Sequence, residues 1–138
     1  MDETRLKETY SGRRYTIKHC VGAVESFSKA VERLPAGQQR KFKRWTELQI
    51  QRLADGERMS HDSFPSEGDL PAVPGKPRRK FRAFKRIPVR GYCWKSDRCP
   101  NVYFISHYIV KKKNKLAITD IEKVGNNWTR VEVNEHEC

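Results

Sequence analysis

No run of about 18 apolar residues occurs in the chain, and its first residues do not join positive charge to an apolar core, so neither a membrane span nor a secretory leader is expected. The expectation is a cytoplasmic protein. Cysteine is scarce. The four present in 138 residues, Cys20, Cys93, Cys99 and Cys138, are too few and too irregularly spaced for the disulfide framework of a small secreted domain, and free thiols are expected. Even with His19 and His107 added, their spacing does not fit a zinc knuckle, so no metal site is expected. A glycine-rich phosphate loop, an H-E-x-x-H helix and a G-x-S-x-G elbow are all missing, which disfavours nucleotide-driven and zinc-protease chemistry; no cofactor is expected. Internal repeats are absent too.

Acid is nearly missing from one segment, and that absence says most. Residues 76–115 hold 14 of the 29 Lys and Arg but one of the 17 acids, Asp97, so the whole net charge of +12 lies there. A local excess of this size attracts phosphate backbones in a salt-dependent way. The plainer reading is a solvated basic face kept for solubility.

What is present is organised around Asn101 to Lys115, N-V-Y-F-I-S-H-Y-I-V-K-K-K-N-K. Its β-branched and aromatic run suits a strand buried on both faces, which delivers His107 and then Lys111, Lys112, Lys113 and Lys115 to one sheet edge. Upstream, residues 1–12 read as a loose tail and residues 13–138 as a single domain. Arg14 to Val21 alternates as a first strand. Val24, Phe27, Val31 and Leu34 form a helical stripe ended by Pro35 and Gly37, and Phe42, Trp45, Gln49, Ile50 and Leu53 form a second, stopped by Gly56. Residues 55–79, rich in proline and glycine, read as a long loop, a lid or an insertion. Strands follow around Phe81 and Ala83, over Val89 to Lys95, and from Asn101. Thr119-Asp120-Ile121-Glu122 fits a capping box opening a short helix that Gly125-Asn126-Asn127 stops, after which Val131 and Val133 add an edge strand or trail off. The fold class is therefore α+β, a small antiparallel-dominated sheet with an N-terminal helical hairpin packed on one face.

Three stretches, K-F-R-A-F at Lys80 to Phe84, V-R-G-Y at Val89 to Tyr92, and above all F-I-S-H-Y-I-V-K-K-K-N-K at Phe104 to Lys115 followed by a helix, resemble the RelE/HigB superfamily of bacterial toxins, especially its phage-derived branch. The resemblance covers about Arg14 to Trp128. It implies a RelE/ParE-like fold and a ribonuclease that cuts mRNA, often on the ribosome, held inactive by a neighbouring antitoxin with a helix-turn-helix domain. RNA can be cleaved without metal because its 2′-hydroxyl can attack the adjacent phosphate, given a base, an acid and positive charge. His107 suits base or acid. Lys111, Lys112 and Lys113, crowded by other cations, can share that work, and Arg82 and Arg90 could each grip a phosphate. Lys80, Lys85, Arg86, Lys95 and Lys115 are the candidate RNA-binding residues. Each has a plainer alternative: His107 a satisfied core histidine, the lysines a solvated loop or ribosomal RNA anchor, the arginines surface strand residues. No tyrosine stands near the C-terminus to act in catalysis, and Tyr92, Tyr103 and Tyr108 read as core or stacking residues. The competing functions are a non-catalytic nucleic-acid-binding protein and a ParE-like toxin acting on DNA gyrase.

Overall fold

Alternating apolar residues along six short segments build a mixed sheet, and a computed structural model describes it for residues 4–111 and 116–134. The strands are β1 (Thr9–Ser11), β2 (Thr16–His19), β3 (Ser66–Asp69), β4 (Lys80–Arg86), β5 (Val89–Lys95) and β6 (Val102–Val110), in the order β1-β2-β6-β5-β4-β3. Neighbours are antiparallel except β2 and β6, which run parallel. Helices α1 (Ala23–Glu32) and α2 (Ala36–Ala54) follow β2, and α3 (Ile118–Trp128) follows β6 and continues as a π-helical turn, Thr129–Val133. The α+β class holds. No helix among the described residues is long and apolar enough to cross a membrane.

The core has two halves, one on each sheet face. Val24, Phe27 and Val31 of α1 and Phe42, Ile50 and Leu53 of α2 pack on Ile17, Phe84, Val89, Cys93, Ile105 and Tyr108. On the other side, Val124, Trp128 and Val131 pack on Phe81, Ala83, Tyr92, Trp94 and Phe104. Because both faces are covered, β5 is buried from Val89 to Trp94, and β6 reads as a nearly unbroken apolar run.

Several expectations need correction. The N-terminal hairpin packs on one face as expected, but the other face is not open, since α3 covers it. The tail expected over residues 1–12 is structured from its middle: Thr9–Ser11 pairs with β2, and Leu6 and Tyr10 are buried, the Tyr10 hydroxyl donating to Glu47 Oε2 at 2.6 Å. Within the expected loop 55–79, β3 pairs with β4, and Phe64 and Leu70 flank it in the core. The capping box is unused, because α3 starts at Ile118 with no side-chain cap. Nor do Gly125-Asn126-Asn127 stop the helix. Val124, Trp128 and Val131 lie on one stripe, and burying that stripe outweighs the weak helix propensity of Gly and Asn, so Val131 and Val133 are helical and not an edge strand. Cys20 and Cys93 are buried thiols, but Cys99 is disulfide-bonded rather than free as expected, and Cys138 lies outside the described residues.

Candidate functional site

One extra residue in β6 shapes the site. Tyr92 pairs with His107 and Cys93 with Ile105, so Ser106 is a bulge that shifts the alternation of the strand by one. Before the bulge Phe104 faces α3 and Ile105 faces the helical hairpin; after it His107 faces α3 and Tyr108 the hairpin. Ser106 and His107 therefore sit side by side under α3.

A directed chain of hydrogen bonds runs through them. Asn127 Nδ2 donates to Ser106 Oγ at 2.8 Å, Ser106 Oγ lies 2.8 Å from His107 Nδ1, and His107 Nε2 lies 3.0 Å from Asp120 Oδ1. One proton arrangement satisfies all three contacts: the serine hydroxyl donates to Nδ1, and Nε2–H donates to the carboxylate. This requires a neutral imidazole. Burial lowers the His107 pKa, against the opposing pull of Asp120, which keeps the ring neutral near pH 7. His107 is 2 % exposed and does not line the cleft that Asp120 lines.

Half-buried in the first turn of α3, Asp120 lines an open cleft of about 410 Å³ together with Ser26, Lys29 and Arg33 of α1 and Tyr108 to Lys111 at the end of β6. Lys29 and Arg33 lie four residues apart, one helical turn, and so present two cations to the same opening. The Lys111 backbone N–H donates to the Pro88 carbonyl at 2.6 Å, while its ammonium is buried with no hydrogen-bond partner among the described residues. The wall behind is rigidly tied: the Tyr108 N–H donates to Ser26 Oγ at 2.9 Å, and the Tyr108 hydroxyl donates to His19 Nε2 at 2.8 Å while His19 Nδ1 faces the Glu8 carbonyl.

The other predicted residues scatter. Arg90 is fully buried beneath α3, its Nη1 3.9 Å from Glu67 Oε1, and it cannot reach a phosphate. Arg82 is exposed on the opposite face, donating to the Phe64 carbonyl at 3.1 Å with its guanidinium 5.5 Å from that ring. The two arginines expected to flank one phosphate are thus separated by the sheet. Strand alternation explains this, since Arg82 pairs with Cys93 and shares its face, whereas Arg90 shares that of Tyr92. Lys85 lies across from Arg90, and Arg86 covers the Phe42 and Trp45 rings at 5.2 and 5.9 Å. Lys80 and Lys95 are exposed at the far end of the sheet, Lys95 over the Tyr15 ring. Lys112, Lys113 and Lys115 lie outside the described residues.

Sequence reasoning missed Asp120, Ser106, Asn127, Lys29 and Arg33. The i, i+4 cations of α1 were visible as a pattern; Ser106 needed the bulge, and Asp120 and Asn127 needed the packing of α3 over β6. Among the described residues no three His, Cys, Asp or Glu side chains gather as a metal site. No protein-family model, curated protein or solved structure matches this chain.

Proposed function

We propose that this protein is a metal-independent endoribonuclease that cuts mRNA in the cytoplasm, the toxin of a type II toxin–antitoxin pair, with the ribosome and a helix-turn-helix antitoxin as partners. The observation that carries the reading is the cleft in which one carboxylate, Asp120, meets three cations, Lys29, Arg33 and Lys111. In this mechanism Asp120 takes the proton of an RNA 2′-hydroxyl, and the oxygen attacks the adjacent phosphorus. Lys29 and Arg33 stabilise the charge that builds on the phosphoryl oxygens. The P–O5′ bond breaks, Lys29 protonates the departing oxygen, and a 2′,3′-cyclic phosphate and a 5′-hydroxyl result. His107 is a positioning residue: its Nε2–H fixes the orientation of the Asp120 carboxylate, and Ser106 and Asn127 fix His107 in turn.

Two variants test this on a purified mRNA and a ribosome-bound one. Asp120→Asn should keep RNA affinity and lower cleavage by about 10²–10⁴-fold, the usual contribution of one proton-transfer group. His107→Gln should fall less, since the base remains while its orientation loosens. Normal cleavage by Asp120→Asn would remove the carboxylate from the chemistry.

The burial of His107 favours a second reading, a non-catalytic nucleic-acid-binding protein that uses the same cleft. It predicts RNA binding with no cyclic phosphate product from the wild-type protein.

A further inference from the structure

At the opposite end of the sheet from the Lys111 cleft, a second cavity of about 290 Å³ opens beside Tyr15, Phe64, Arg82 and Tyr103, with Glu57 on its rim. Lys111 follows Tyr103 by eight positions, roughly 26 Å of extended chain, so the two openings are separate places on the molecule. None of the residues proposed for cleavage lines this one.

Its chemistry is unusual for the edge of a core. Tyr15 and Tyr103 meet edge to face, 5.2 Å between ring centres, and both are only half-buried. Arg14 and Lys95 stand 5.3 and 5.4 Å from the Tyr15 ring centre, and Arg82 stands over Phe64. Among the described residues these three cations rest on aromatic rings and form no ion pair, so their charge is left for an external anion. Burial raises the Tyr103 pKa to about 12, which keeps its hydroxyl a neutral donor and acceptor.

Aromatic faces in a small cavity lined by Arg82, with Arg14 and Lys95 over the Tyr15 ring that forms part of its wall, match a flat π-system that carries phosphate on both sides. We propose that this cavity stacks one unpaired base of a single-stranded RNA, with Tyr15, Tyr103 and Phe64 contacting the base and Arg14, Arg82 and Lys95 the flanking phosphates. Glu57 supplies an acceptor for an N–H on the edge of the base. The inference rests on the RNA reading above for its strand, and it adds a base contact that the phosphate-directed cleft does not make.

The experiment compares two hexamers by fluorescence anisotropy: 2′-O-methyl hexauridylate, which lacks the hydroxyl needed for cleavage, and an oligomer of equal phosphate number without bases. The wild-type protein should bind the uridylate about tenfold more tightly than the abasic oligomer, and Tyr15→Leu and Tyr103→Leu should each erase most of that preference. Equal binding of both oligomers by the wild type overturns the base site and leaves the RNA reading standing; binding of neither overturns both. A preference that persists in both variants also overturns the site. Should the variants fail to fold, photocrosslinking of a 4-thiouridine oligomer to the wild-type protein decides: adducts on Tyr15, Tyr103 or Phe64 support the site, and adducts confined to other residues overturn it.

Discussion

Gly91 shows how tightly single residues are constrained here. It lies directly across from Tyr108, and a Cβ there would overlap carbons of the Tyr108 ring. Gly91→Ala should therefore cost about 1–3 kcal/mol through overpacking, measurable in urea unfolding. His19 makes a second prediction. Burial lowers its pKa from 6.5 to about 4, because a charged ring would have to be desolvated, which outweighs the upward pull of the Glu8 carbonyl. The folded state then binds fewer protons than the unfolded one between those values. Stability from this group is complete above about pH 6.5 and is lost as pH falls towards 4, by roughly 3 kcal/mol at most. His107, lowered as well, acts in the same direction. His19→Gln should flatten the decline of the urea midpoint over this range; an unchanged slope would assign the titration to other groups.

At the scale of elements, the helices that bury regular stripes were readable in advance, and those held by distant partners were not. Val24, Phe27 and Val31 recur at helical spacing and all three are fully buried, so periodicity and packing agree. Phe27→Ala should cost about 3–5 kcal/mol, whereas Trp45→Ala should cost less, because Trp45 is half-exposed beneath Arg86. The segment 55–79 misled because proline and glycine dominate it, yet Phe64 and Leu70 carry it into the core and β3 extends the sheet edge between them. Deleting residues 63–71 should abolish the cooperative unfolding transition; a deletion variant with a native-like melt would return the segment to the status of a loop. The site was half readable. The run around His107 and Lys111 pointed to the end of the sheet where the Asp120 cleft lies. Asp120 stayed hidden, since only tertiary packing lays α3 over β6, and the opposed faces of Arg82 and Arg90 depend on a strand register that no local pattern states.

For the whole molecule, cations are distributed rather than gathered. Arg90 is internal, Lys29, Arg33 and Lys111 line one cleft, and at the far end Arg82 lines a cavity while Arg14 and Lys95 stand over its Tyr15 ring. RNA affinity should fall with salt at a log–log slope of about 0.7 per phosphate contacted on a single strand. Replacing Lys29 and Arg33 with Gln should reduce that slope by about one to two contacts, and a slope near zero in the wild type would end the nucleic-acid reading. Ser106 has a consequence of the same reach. Because β6 touches both layers, its count of residues acts as a parity setting for the sandwich: adding or removing one residue before His107 is a mirror operation that moves histidine to the hairpin side and Tyr108 under α3, while adding or removing two is only a translation. Single-codon insertions and deletions at 105–107 should thus be more damaging than double ones, and two chains compared across this strand fall out of step by a full face unless the odd residue is aligned first.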